Sequence, residues 1–457
     1  MANIYADSNV FVRPLSAVII QAKPGRLPQV SAAIQNRDLT RILSLGPFKG
    51  IRPWASAAFT AARAIPAFSM HAAVLDAVSI TDLAQSPDVA AIYSDRPVSI
   101  SQFPSVPTQG TYAVKVPPTS GGRAPTVLYF TSTEWTRKLL GADVANAAGY
   151  SGQGVKACVV DTGGHIHPQT YRAGFLTAIP GNHVDVVSHG QWCLSALGGT
   201  RYHDRTFSEI TGTPVYCEGM APLCNLLAIK ALDFVIGTAP TSILLSGLAM
   251  ALSQKADVLS LSWGSPTTAE TPQADPFYTA MQVLDAAGTL IFTAAGNAGP
   301  GAGTLDSPGA LPQPVTVGAI NSVANGFNSM FGPAGEISNF SSRGPTPWGT
   351  VKPDCVAPGA IIDSGVSAFS QMALSYTQRP HEANAIAGTS MATPIAAGLG
   401  VLLRQAHAKL VGKVLTNSEV KAMLIAINGA PNTVSGSGLL SWDVYRRWLS
   451  TQYGITI

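Results

Sequence analysis

Residues 388–398 read Gly-Thr-Ser-Met-Ala-Thr-Pro-Ile-Ala-Ala-Gly and run on into an apolar stretch of core-helix length at 395–403. A serine at a helix start holds its hydroxyl near the positive end of the helix dipole. Backbone N–H groups without intrahelical acceptors lie beside it, which suits a developing oxyanion. The small residues around Ser390 let a substrate backbone come close. Taken alone, the same serine also fits a helix N-cap.

Working back along the chain, short apolar runs at 155–160, 226–230, 257–262, 289–294 and 315–319 are bounded by Gly, Pro or Asn. Helical stretches at 243–253 and 277–286 separate some of them. Strands apolar on both sides with helices between them predict an α/β fold, a mostly parallel sheet covered on both faces. Functional loops in such sheets gather at the carboxyl ends of the strands. Three further segments fall at such ends or at helix starts. Val159-Val-Asp-Thr-Gly-Gly ends a strand in Asp161; Ser188-His-Gly-Gln-Trp-Cys opens a helix with His189; Phe292-Thr-Ala-Ala-Gly-Asn-Ala-Gly-Pro carries Asn297. Singly, each has an ordinary reading: a turn aspartate, a structural histidine like His165, His167, His183 and His203, an asparagine in a Gly-Pro turn. Together, in the order Asp, His, Asn, Ser, they do not read as ordinary.

These four segments resemble the subtilisin (subtilase) family of serine proteases. Gly219-Met-Ala-Pro, Leu259-Ser-Leu-Ser-Trp-Gly, Ile337-Ser-Asn-Phe-Ser-Ser-Arg-Gly-Pro and Lys352-Pro-Asp-Cys-Val-Ala-Pro-Gly extend the likeness from about Trp135 to the end. The resemblance implies a subtilisin-like three-layer αβα domain over 131–457 and serine endopeptidase activity on polypeptide substrates. It assigns the catalytic roles to Asp161, His189 and Ser390, and an oxyanion hole to Asn297 with the Ser390 N–H. Sedolisins share a Gly-Thr-Ser motif but place an acidic residue where Asn297 stands, and His189-Gly190 also favours the subtilisins. By the same alignment Ser260, Leu261, Ser262, Trp263 and Gly264 form one wall of the S1 pocket, and Ala294, Ala295 and Gly296 the other. Asp306 falls near the base of that pocket, where a buried carboxylate would favour Arg or Lys at P1; an exposed loop aspartate is the other reading. A maturation protease or peptide ligase would use the same acyl-enzyme, and a silent binding protein on this fold is the alternative from another class.

The likeness has departures. Gln191, Leu194 and Ser195 replace the family's usual threonine and small residues after the histidine. Gln169 falls where many members supply a calcium-binding aspartate, and a neutral amide is a weaker Ca²⁺ ligand than a carboxylate. The chemistry requires no cofactor and no metal ligand set is assigned; Ca²⁺ elsewhere stays open as a structural ion.

Residues 1–100 read as a separate, small α+β domain, with strands at 16–22 and 89–93 and helices at 27–34 and 80–85. It resembles the subtilase propeptide through Ser16-Ala-Val-Ile-Ile and Pro87-Asp-Val-Ala-Ala-Ile-Tyr-Ser-Asp-Arg-Pro-Val. That likeness implies a domain that assists folding and caps the cleft, the chain's own propeptide serving as its first partner. Residues 101–130 form the linker, rich in Pro, Gly, Ser and Thr, and the processing cut is expected between Ser101 and Ala124.

Hydrophobic residues make up 46% of the 457 and charged residues only 12%, about half the usual share, so the chain has a large core and is not disordered. A net charge of +3 supplies no field for nucleic acid or an anionic membrane, and neither is expected as a partner. A monomer is expected. The first residues, Met-Ala-Asn-Ile-Tyr-Ala-Asp-Ser, lack a basic n-region followed by an apolar h-region, which fits a cytoplasmic protein or a secreted one whose leader is gone. Of five cysteines, Cys158, Cys193 and Cys355 read as buried thiols, while Cys217 and Cys224 are near enough in sequence to clip one loop as a disulfide.

Overall fold

A computed structural model describes residues 2–5, 16–35, 37, 63–100, 131–179, 181, 183–212, 214–232, 237–321, 331–366 and 383–457. The expected linker at 101–130 lies outside them. Seven strands build the central sheet: β1 (Lys156–Asp161), β2 (Gly174–Thr177), β3 (Asn225–Lys230), β4 (Val258–Leu261), β5 (Leu290–Ala294), β6 (Val315–Ile320) and β7 (Cys355–Pro358). All pairings are parallel, in the order β7-β6-β5-β4-β1-β3-β2. Successive side chains of a strand face opposite ways, and here both ways lead into a core. Ala157 and Val159 of β1 join one apolar cluster, Cys158 and Val160 the other. The first cluster packs α1 (His189–Gly198) and α4 (Thr389–Leu410); the second packs α2 (Thr241–Ser253) and α3 (Tyr278–Ala286). Hence the uninterrupted apolar runs of the sequence and the three layers that the resemblance implied.

The chain runs β1 to β2 to β3 on one side of β1 and then crosses to β4 on its other side. That reversal puts a crevice at the carboxyl ends of β1 and β4, where Asp161 and Ser262 stand.

The N-terminal residues form a five-stranded sheet with Ala77–Gln85 and Leu27–Gln35 as its helices. Three of its strands, Asn3–Tyr5, Arg63–Ile65 and Met70–Leu75, were not read from the sequence. Its other face, with Ile19, Met70, Ala72 and Tyr93, merges with the cluster around α2 and α3. Polar contacts fix the docking: Gln21 Nε2 donates to Thr279 Oγ1 (2.9 Å), and Asp95 accepts from Ser242 N–H (2.9 Å) and Oγ–H (2.6 Å). Asp95 thereby caps α2 from 147 residues away. The helix accordingly starts at Thr241, ahead of the expected 243, because its cap lies where local sequence cannot show it. Beyond Asp95, Pro97–Ile100 inserts as an antiparallel strand between Thr238–Pro240 and Trp263–Gly264.

Cys217 and Cys224 are free thiols, which corrects the disulfide expectation. Cys217 is spoken for elsewhere: its thiol donates to Asp363 Oδ2 at 3.0 Å, in a buried nest with Asp204. Asp204 Oδ1 accepts from Phe207 N–H (2.9 Å), while its Oδ2 and Asp363 Oδ1 have no other partner. Two carboxylates sharing such a site cannot both ionise at ordinary cost. Burial first, and then the Asp204 charge, push the Asp363 pKa well up. The folded chain therefore keeps a proton that the unfolded chain releases near pH 4, so stability falls as pH climbs from there towards the raised pKa. Asp363→Asn should raise the melting temperature at pH 8 by roughly 2 °C or more. The gain should vanish towards pH 4; parallel pH profiles for the two proteins would refute the shared proton.

Candidate active site

β1 ends in Asp161, whose Oδ1 accepts from Thr162 N–H at 2.7 Å. The same oxygen lies 2.7 Å from His189 Nδ1, and both residues are 0% exposed. A carboxylate only accepts, so Nδ1 carries the imidazole proton and Nε2 is left as the basic nitrogen. α1 can start this close to the strand end because residue 190 is glycine: a Cβ there would collide with the Gly163 carbonyl oxygen. Gly190 N–H donates to Thr162 Oγ1 at 2.8 Å, tying the helix to the loop after β1.

Ser390 lies in the first turn of α4, and Pro394 explains how it is anchored. A proline has no N–H, so the carbonyl four residues earlier loses its intrahelical donor. That carbonyl belongs to Ser390. It accepts instead from Ser262 Oγ (2.9 Å) and from the Cys193 thiol (3.6 Å) one turn along α1 from His189. Ser390 Oγ in turn donates to the Ser262 carbonyl at 2.8 Å. Cys193 Sγ also lies within 4.8 Å of the ligand atoms of Asp161 and His189, so β1, α1, α4 and the end of β4 converge on one spot. Burial, and then Asp161, hold the Cys193 thiol well above its usual pKa, which keeps it neutral and disqualifies it as a rival nucleophile.

Asn297 follows β5. Its Oδ1 accepts from Thr389 N–H (2.8 Å) and Thr389 Oγ–H (2.9 Å). With the oxygen so occupied, the Nδ2 donors are turned away from Thr389, towards Gly388, where a Cβ would stand 3.2 Å from Nδ2. The two walls behave differently along their length. Ser262 borders Ser390, and Gly264 borders the Pro97–Ile100 strand. Leu261 and Trp263 point into the α2 side core, Trp263 Nε1 donating to the Val160 carbonyl at 2.8 Å. Ser260 lies mid-sheet, opposite Val159 and Phe292. On the other wall Ala294 pairs with Val317, Ala295 packs against Leu305 and Ala310, and Gly296 N–H donates to Thr389 Oγ1 (3.2 Å). Asp306 stands between the walls. Gln169 is buried, its Nε2 bonded to the Thr200 carbonyl at 3.2 Å.

The Subtilase family model matches residues 152–438. The chain belongs to the subtilase family. Among curated relatives, serine protease AprX of Bacillus subtilis (strain 168) is 30% identical over 295 residues, 62% of this chain and 62% of AprX. Subtilisin E of the same organism is 25% identical over 359 residues, 77% of this chain and 74% of its own. The mouse membrane-bound transcription factor site-1 protease is 30% identical over 297 residues, 63% of this chain but 24% of that protein. Among the described residues no helix is long and apolar enough to cross a membrane.

One residue of this subtilase site escaped the sequence reading. Asp185, wholly buried, accepts from Val187 N–H (3.0 Å), Ser188 N–H (2.7 Å) and Gln191 N–H (2.9 Å). It thus gathers the free donors at the head of α1 while Ser188 turns the chain at φ +71°. Burial pushes its carboxyl pKa up, and the N–H groups of Gln191 and Ser188 oppose that. The signal was an aspartate four residues before His189, hidden because cap and helix are separated by an irregular turn. Asp185→Ala should cost about 3 kcal/mol of stability by orphaning buried donors. In the fraction that stays folded by circular dichroism, fluorophosphonate labelling of Ser390 should slow by about tenfold or more, through loss of His189 alignment. A folded variant that labels at the parental rate would remove Asp185 from the site.

Proposed function

We propose that this chain is a serine endopeptidase made as a proenzyme, with residues 1–100 as its propeptide. The observation that carries the reading is the buried Asp161–His189 pair at 2.7 Å, packed against the anchored head of α4 that bears Ser390. For attack, Ser390 Oγ leaves the Ser262 carbonyl by rotation about χ1 and gives its proton to His189 Nε2. The oxygen adds to the scissile carbonyl; Asn297 Nδ2 and the Ser390 N–H receive the oxyanion. His189 returns the proton to the leaving amine, the acyl-enzyme forms, and water repeats the cycle. Asp161 holds the Nδ1–H throughout and stabilises the imidazolium. Losing the Asn297 donor typically costs about 2.7–4 kcal/mol of barrier.

The propeptide reading is supported by the strand Pro97–Ile100. A peptide substrate needs an antiparallel edge beside the nucleophile, and Trp263–Gly264 offers one. That edge is already taken by Ser99 and Ile100, with Ile100 N–H also bonded to the Gly237 carbonyl at 2.8 Å. The strand enters from the chain's own N-terminal unit, so the cleft is filled in cis. Intact mass spectrometry of the full chain beside Ser390→Ala tests both halves of the reading. The parent should lose the segment ahead of a bond between Ser101 and Ala124 and the variant should stay whole. Two whole chains would overturn the proenzyme reading, and failure of Ser390 to label with a fluorophosphonate would overturn the endopeptidase reading.

A further inference from the structure

Asp306 is a carboxylate set into the wall of the cleft, and among the described residues no ion pair or side-chain hydrogen bond balances it. Its backbone bridges both sides: Asp306 pairs antiparallel with Pro266, and its N–H donates to the Ala295 carbonyl at 2.9 Å. Both flanking walls are stripped to glycine where the side chain rests. A Cβ on Gly264 would stand 2.7 Å from Asp306 Cβ, and one on Gly296 would stand 2.7 Å from Asp306 Oδ2. The Ser342 hydroxyl would stand equally close to that Gly296 Cβ, at 2.7 Å. Gly264, Gly296 and Ser342 carry no charge, and burial alone pushes the Asp306 pKa up to about 7. The residue is 8% exposed, so part of it meets solvent.

The residues beside Asp306 adjoin the site. Gly264 is two residues from Ser262, which is bonded to Ser390, and Gly296 is next to Asn297. A peptide following the path of Pro97–Ile100 beside Trp263–Gly264 and continuing to Ser390 drops the side chain of its scissile residue between these walls. A buried carboxylate without a partner is costly, and an incoming cation removes that cost. We propose that Asp306 is a specificity-determining residue that selects substrates with Arg or Lys at P1; this rests on the endopeptidase reading. An aromatic side chain in the same place would leave the carboxylate desolvated and unpaired.

The test uses the full chain after self-processing and matched peptide anilides ending in Arg, Lys or Phe. The parent should prefer Arg and Lys, and Asp306→Asn should lower the Arg-to-Phe ratio of kcat/KM by at least about tenfold, the low end of coupling for close buried charges. The ratio should also rise in the parent as pH passes upward through about 7, as the free carboxyl ionises, and lose that rise in Asp306→Asn. The demand on His189 is common to both substrates and cancels in the ratio. Benzamidine, an amidinium small enough for the pocket alone, should weaken as an inhibitor of Phe-substrate cleavage by a similar factor. An active enzyme whose ratio is indifferent to Asp306→Asn and to pH overturns this proposal alone. A chain that neither labels nor hydrolyses any substrate overturns the endopeptidase reading and this proposal with it.

Discussion

The reciprocal hydrogen bonds between Ser262 and Ser390 join the carboxyl edge of the sheet to the head of α4, and the rest of the site is arranged around that joint. The bond to the Ser390 carbonyl is open to Ser262 because Pro394 withholds its own donor from that carbonyl. A helix with an ordinary residue at 394 would claim that carbonyl for itself. Once it is freed, α4 is tied to β4 by Ser262 and to α1 by Cys193, and α1 is tied to β1 by Gly190 and Asp161. Four elements far apart in sequence thus share one rigid corner, which is what acyl transfer demands of a nucleophile and its base.

The N-terminal unit depends on the same sheet from the other face. Its apolar strands complete the cluster over α2 and α3, and Asp95 satisfies donors at the head of α2. Without this unit the Ile243-side helices would be partly uncovered and α2 uncapped. Water can satisfy the cap, whereas the apolar face has no such substitute. The docking of this unit therefore rests more on its buried strands than on its polar contacts.

Much of this was legible in the chain itself. Two-sided apolar runs fix a parallel sheet, and five of the seven central strands, with α1 through α4, fall where periodicity puts them. β2 and β7 were missed because Gly174–Thr177 is a half-exposed edge without an apolar run, and Cys355–Pro358 is short and ends in proline. The segments bearing Asp161, His189, Asn297 and Ser390 were visible as motifs at strand ends and helix starts. What could not be read were interactions that join distant residues: Asp95 on α2, Cys217 on Asp363, and the turning of Leu261 and Trp263 into the core. Each depends on which residue meets which in space, and a one-dimensional pattern carries no such record.

The buried carboxylates can be ordered by how their charge is met, and the order follows their roles. Asp185 is met by three backbone donors and holds a helix head still. Asp161 is met by Thr162 N–H and by an imidazole, a partner able to gain and lose a proton. Asp363 is met by a thiol and a second carboxyl, and keeps its own proton. Asp306 alone of these has no side-chain hydrogen bond or ion pair among the described residues; it rests against Gly264 and Gly296 and is 8% exposed. A chain with only 12% charged residues has few to spare for an unbalanced interior position. A fold gains nothing in stability from such a group. On the proposed role, that cost is recovered when a cationic substrate side chain is held beside it.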